Sequence, residues 1–89
     1  MDLGLKNKLA LVSGSTKGIG FAIATGLARE GAQVIINGRS QQSVDAALDG
    51  LRKAVPSAQV FGFAGDLSDP RQIDALVAAY PAVDVLVNN

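Results

Sequence analysis

Apolar residues along the chain fall into short unbroken runs that alternate with longer stretches repeating every three or four positions, and turn or cap residues mark each change. The pattern predicts strand, helix, strand, helix, strand, helix, strand. Leu9–Val12 is an apolar run too short for a helix and bounded by Gly14, as suits a strand covered on both faces. From Gly18 to Glu30, the residues Ile19, Ile23 and Leu27 recur every four positions with Ala22 and Gly26 beside them, and Gly31 stands where a C-terminal cap belongs. This spacing puts Ile19, Ile23 and Leu27 on the buried stripe and turns Phe21 away from it, leaving Phe21 without a role.

Gln33–Ile36 reads as the second strand. The helix after it carries Val44, Ala47, Leu48, Leu51 and Val55 on one stripe, starts at a cap from Ser40 or Ser43, and stops at Pro56. Val60, Phe61 and Phe63 are strand-forming side chains, so Gln59–Ala64 is the third strand, with Gly62 its weak point. Ser68-Asp69-Pro70 is a cap followed by a first-turn proline, and Ile73, Leu76, Val77 and Tyr80 step along one helical face as far as Pro81. Val83–Val87 makes the fourth strand. Strands alternating with helices across short loops form parallel βαβ units with right-handed crossovers. The expected architecture is a three-layer α/β domain of Rossmann type, a partial doubly wound parallel sheet in the order 3-2-1-4. It is expected to be one dinucleotide-binding domain over residues 1–89, incomplete on its C-terminal side.

Eight basic residues balance eight acidic ones, so the charge gives no case for nucleic acid or an anionic membrane surface as partner. Cysteine and histidine are both absent, which excludes disulfides, thiolate chemistry and the usual zinc ligands; no metal site is expected. The apolar run at Leu9–Val12 is well short of a signal-peptide core or a membrane span, and a cytoplasmic location is expected.

The stretch Ser13-Gly14-Ser15-Thr16-Lys17-Gly18-Ile19-Gly20 lies between the first strand and the first helix, where this architecture holds a nucleotide diphosphate. Gly14 permits a sharp turn, Gly18 removes a side chain where a diphosphate must approach the main chain, and Gly20 is expected to let the helix pack closely on the strand. Amides at the helix start then meet negative charge, worth about 0.3–1 kcal/mol from the dipole. Gly14, Ser15, Thr16, Lys17, Gly18, Ile19 and Gly20 are therefore candidate cofactor-binding residues. The plainer reading is a tight connection with no ligand, and the strand-turn-helix context favours the binding one. The glycines fall as G-x-x-x-G-x-G, and no Gly-Lys-Ser/Thr follows, which argues against a P-loop.

This turn resembles that of the short-chain dehydrogenase/reductase family, with Ser13 where the family usually carries threonine. A protein holding NAD usually places an acid near the end of the second strand, about 20 residues after the glycines. Here the chain reads Asn37-Gly38-Arg39-Ser40. Arg39 offers a planar fork suited to a 2′-phosphate, Ser40 adds a hydroxyl, and Lys17 is a second cation placed as in many NADP-preferring members of the resembled family. The expected cofactor is NADP(H), with Asn37, Arg39 and Ser40 among its contacts; the bland alternatives are a solvated Lys17 and an uninvolved surface Arg39.

The resemblance also implies that Asp66-Leu67 meets the adenine, beside the plainer reading of Asp66 as a turn residue. It likewise implies that Asn88-Asn89 opens a segment beside the adenosine ribose, against the alternative of a frayed end. Members of the family use a tyrosine four residues before a lysine, helped by a serine. No such pair occurs in this sequence, and Tyr80 lies on a packing stripe, so no catalytic residue is assigned. The resemblance implies an oxidoreductase that interconverts a small-molecule carbonyl and alcohol, its catalytic residues lying beyond Asn89. A competing reading is a non-catalytic dinucleotide sensor that completes its sheet by association. A third is a structural scaffold that binds no dinucleotide. In the sensor reading Val83–Val87 is the exposed edge that invites pairing with another chain; a homo-oligomer is expected.

Overall fold

The computed structural model describes residues 4–89, so the first three residues of the expected 1–89 domain lie outside it. Its elements run β1 (Leu9–Val12), α1 (Gly18–Arg29), β2 (Gln33–Gly38), α2 (Gln41–Ala54), β3 (Val60–Ala64), α3 (Pro70–Ala79) and β4 (Val85–Val87). The four strands form one parallel sheet in the order β3-β2-β1-β4, as the βαβ pattern predicts.

Strand periodicity fixes the layers, because alternate side chains leave opposite faces. Val12, Val34 and Ile36 join Ala24 and Ala28 of α1 and Val44, Leu48 and Leu51 of α2 in the larger core. Leu11 and Ile35 face the other way and meet Leu76 of α3. Ile35 and Ile36 are neighbours in sequence and both wholly buried, so β2 is covered on both sides. Fully burying a side chain of this size contributes about 1.5–3 kcal/mol, and β2 is the seam on which both layers depend.

The structure corrects the expected face of α1. Its buried residues are Gly20, Ala24, Thr25 and Ala28, while Ile19 is 75% exposed and Ile23 and Leu27 are half-buried. Small residues at four-residue spacing let the helix axis approach the sheet, and the larger Ile23 and Leu27 flank that seam. Phe21 does have a role: it is half-buried against the α1–α2 core, its ring facing Gly50 of α2. Gly62 makes room for α2, since a Cβ there would come within 2.6 Å of Val44 Cγ1 and 2.9 Å of Leu48 Cδ1.

Strand ends also shift. β2 runs on to Gly38 because Asn37 and Gly38 pair with Phe63 and Ala64. β3 starts at Val60 rather than Gln59, and β4 starts at Val85 rather than Val83. Ahead of β4, Asp84 closes the sheet: its amide donates to the Leu9 carbonyl at 2.8 Å and its carboxylate accepts the Leu9 amide at 2.9 Å. On α3 only Leu76 is buried, and Ile73 and Val77 stay exposed. Tyr80 is half-buried, its ring 5.9 Å from that of Phe61 and its hydroxyl donating to the Gly62 carbonyl at 3.4 Å, which matches the packing role expected of it. An apolar cavity of about 460 Å³ lies beside this helix, among Leu11, Leu76, Val83 and Leu86.

Candidate functional site

A cleft of about 680 Å³ lies at the C-terminal ends of the strands. Ser13, Gly14, Thr16 and Lys17 line it after β1, Asn37 to Arg39 and Ser43 around the end of β2, Gly65 to Ser68 after β3, and Asn88 and Asn89 after β4. Ligand crevices of open α/β sheets lie outside these same strand ends, at the point where strand order reverses.

The glycine loop is held in a conformation that side chains resist. Gly14 has φ +57° and Gly18 has φ +65°, both in the left-handed region open to glycine. Gly20 is required for a different contact from the one expected. A Cβ there would lie 2.5 Å from the Gly14 carbonyl oxygen and 2.7 Å from Asn89 Nδ2, so its closest neighbours are the loop's own backbone and the end of β4 rather than the strand beneath. Asn89 stitches that corner together: its amide nitrogen donates to Ser13 Oγ at 2.9 Å and its Nδ2 donates to the Gly14 carbonyl at 3.1 Å. The Ser13 amide donates to the Val87 carbonyl at 3.0 Å.

The three helices begin differently. Ser40 Oγ accepts the Ser43 amide at the start of α2, and Asp69 accepts the Arg71 amide at the start of α3. At α1 the cap position is Lys17, whose side chain makes no capping hydrogen bond. The first amides of a helix have no partner within it, so those of α1 keep their donors beside the cleft together with the positive end of the helix dipole.

Two cations frame the opening. Lys17 and Arg39 are both exposed, and among the described residues neither side chain makes a hydrogen bond or an ion pair. Asp66 lies across from them. Its Oδ1 accepts the Ser68 hydroxyl at 2.7 Å and the Ser68 amide at 2.9 Å. These two bonds hold its carboxyl below the usual carboxylate range, with a smaller contribution from the Arg39 charge. Asp66 Oδ2 carries no hydrogen bond among the described residues. The Asp66 amide donates to Gln72 Oε1, which ties the loop to α3.

Of the expected contacts, Gly14, Thr16, Lys17, Asn37, Arg39, Asp66, Leu67, Asn88 and Asn89 line the cleft. Ser15 does not: it is wholly buried, its hydroxyl accepting the Asn37 amide at 2.9 Å and its own amide donating to the Asn37 carbonyl at 2.8 Å. The Ser40 hydroxyl serves as the α2 cap, and Ser43 takes its place in the lining. Gly18 and Ile19 stand exposed where α1 begins, and Gly20 lies buried beneath the loop. Ser13, Gly38, Ser43, Gly65 and Ser68 were missed as lining residues. Gly38 had a signal, the Asn37-Gly38 pair at a strand end, and its missing Cβ makes room for the Thr16 methyl. Ser43 was legible only as a cap.

This donor set fits a dinucleotide: bare main chain and uncapped amides for a diphosphate, two unpaired cations for a further phosphate, and a carboxylate oxygen beside Leu67 for a base. Among the described residues no group of three or more acidic, cysteine or histidine side chains is placed to hold a metal ion. No helix there is long and apolar enough to cross a membrane.

The family model described as short chain dehydrogenase matches residues 8–89. The chain belongs to this family. Over 89 residues it is 49% identical to the uncharacterized oxidoreductase YvaG of Bacillus subtilis, covering 100% of this chain and 34% of that protein. It is 41% identical to a 3alpha-hydroxysteroid dehydrogenase of Mediterraneibacter gnavus, covering 100% of this chain and 37% of the relative. Among solved structures, L-sorbose reductase from Gluconobacter frateurii, complexed with NADPH and L-sorbose, superposes with TM-score 0.88 at 33% identity, over 100% of this chain and 35% of that one. Actinorhodin polyketide ketoreductase with NADPH gives TM-score 0.85 at 40% identity, over 93% of this chain and 33% of that one. The chain thus spans about a third of the length of these relatives.

Proposed function

We propose that this chain is the NADP(H)-holding portion of an oxidoreductase that interconverts a carbonyl and an alcohol on a small molecule. The observation that carries the reading is the pair of unpaired cations, Lys17 and Arg39, contributed by two different loops to one cleft whose β2 corner holds no carboxylate. The glycine loop and the α1 amides would hold the diphosphate, Lys17 and Arg39 the 2′-phosphate, Asp66 and Leu67 the adenine, and Asn88 and Asn89 the ribose side. A bound nicotinamide supplies hydride exchange, while a protein contributes position and electrostatics. In this chain the work is binding and orientation, since neither Tyr80 nor any other described residue is assigned a proton-transfer role. The NADPH-bound reductases and the hydroxysteroid dehydrogenase among the relatives support both the cofactor and the reaction class. A cytoplasmic location belongs to the same reading, whereas self-association through the outer edge of β4 belongs to the alternative of a non-catalytic dinucleotide sensor.

A charge-assisted hydrogen bond contributes about 1.5–3 kcal/mol, roughly a tenfold to hundredfold preference. Calorimetric titration with NADPH and NADH tests the assignment. Arg39→Ala should weaken NADPH about tenfold or more and leave NADH within about twofold, with Lys17→Ala moving the same way. Equal losses for both dinucleotides would overturn it.

A further inference from the structure

Resting on that dinucleotide reading, we propose that Asn37 is a positioning residue that locks the glycine loop to the β3–α3 loop, so that the diphosphate and adenosine sides of the cleft form as one unit. Asn37 is only 4% exposed, yet it makes five hydrogen bonds that reach two loops beyond its own strand. Its Oδ1 accepts the Gly14 amide at 3.1 Å. Its Nδ2 donates to the Phe63 carbonyl at 3.1 Å and to the Gly65 carbonyl at 3.2 Å. Its backbone amide donates to Ser15 Oγ at 2.9 Å, and its carbonyl accepts the Ser15 amide at 2.8 Å.

The chemistry calls for an amide. One end must accept from the glycine loop while the other donates twice to the chain leading into Asp66, and among side chains of this length only asparagine offers both without charge. The bond from the Gly65 amide to the Gly38 carbonyl, 2.8 Å, closes the same corner from the main chain. Because Gly14 leads into the diphosphate loop and Gly65 precedes Asp66, an error at residue 37 misaligns both sides at once. A ligand that needs both loops in register then binds only the fraction of molecules in which they are aligned.

Asn37→Asp is the near-isosteric test, since it keeps the acceptor for Gly14 and sets an anion against two carbonyls. Binding of NADP⁺ by Asn37→Asp at pH 8 is expected to be at least tenfold weaker than by the unaltered chain. Burial and the facing carbonyls raise the new carboxyl's pKa, and its protonated form can again donate to one carbonyl. The gap between the two chains should therefore narrow by pH 5. Lys17, Arg39, Asp66 and Asp69, the charged groups of the surrounding loops, are common to both chains, so the comparison isolates residue 37.

Amide hydrogen exchange without ligand gives an independent reading. Asn37→Asp should speed exchange at Gly65, Asp66 and Ser68 while sparing Gly14, and Asn37→Ala should speed it in both loops. Leu48 and Leu51 of α2 should stay protected in each, which shows that the fold persists. Binding within twofold of the unaltered chain at pH 8, a loss that is the same at both pH values, or exchange that changes in only one loop of Asn37→Ala would overturn the proposal. If the unaltered chain binds no dinucleotide, the functional reading fails, and the exchange measurement alone decides the coupling between loops.

Discussion

Two glycines of one helix should respond in opposite directions to the same added methyl group. At Gly20 a Cβ would sit 2.5 Å from the Gly14 carbonyl, which is backbone, and 2.7 Å from Asn89 Nδ2, a side-chain end that can move only by leaving that same carbonyl. Crowding of this kind costs about 1–3 kcal/mol. Displacing Asn89 also breaks its 3.1 Å hydrogen bond to Gly14, a further loss of about 0.5–1.5 kcal/mol. Alanine's helix propensity returns at most about 1 kcal/mol, so Gly20→Ala should destabilise the chain by about 0.5–4.5 kcal/mol. Gly26 lies on the exposed side of α1 with no neighbouring atom within 4 Å of a Cβ. Gly26→Ala gains the propensity alone and should stabilise by about 0.5–1 kcal/mol. Each kcal/mol moves the midpoint of a domain this small by roughly 4–8 °C, so thermal melts followed by circular dichroism resolve the pair. Equal midpoints for the two variants would refute the claim that the loop closes on Gly20.

Other outcomes follow from the same geometry. Stability should fall on acidification: Asp66 and Asp69 both have carboxyls lowered by hydrogen bonds, so their contribution is complete above the unfolded carboxylate range and is lost as pH drops through the lower folded values. Ser68→Ala removes the larger of the Asp66 bonds and should flatten that dependence in urea titrations between pH 7 and pH 3. Tyr80→Phe forfeits one 3.4 Å hydrogen bond and should cost about 1 kcal/mol or less while leaving dinucleotide titration unchanged. Gly38→Ala, whose new methyl meets the Thr16 side chain, should weaken dinucleotide binding more than it lowers the urea midpoint.

Most of the fold was legible because buried parallel strands and amphipathic helices leave different periods in the sequence. Six of the seven elements follow from those periods and the turn residues between them, β3 from its strand-forming Val60, Phe61 and Phe63, and the strand order from the parallel βαβ architecture. The face of α1 was not legible, because a four-residue repeat of Ile19, Ile23 and Leu27 outweighs the small-residue repeat of Gly20, Ala24 and Ala28 when hydrophobicity alone is counted. Close approach of a helix to a sheet selects for small volume, which hydrophobicity does not record. In the site, the glycine loop and Arg39 were readable from position and charge, Lys17 from charge together with the family resemblance, and Asp66 from the resemblance. The inward use of Ser15 was not, since a serine hydroxyl reads the same in sequence whether it faces a ligand or accepts a buried amide, and Ser40, readable as one of two possible caps, was also counted as a ligand contact although its hydroxyl serves the cap.

The most direct test of the account is ³¹P nuclear magnetic resonance of NADP⁺ titrated with the unaltered chain. Binding as described should shift both the diphosphate resonances, through the glycine loop, and the 2′-phosphate resonance, through Lys17 and Arg39, with Arg39→Ala suppressing chiefly the 2′ change. A 2′-phosphate resonance that stays fixed while the diphosphate moves, or ligand resonances that do not respond at all, would contradict it.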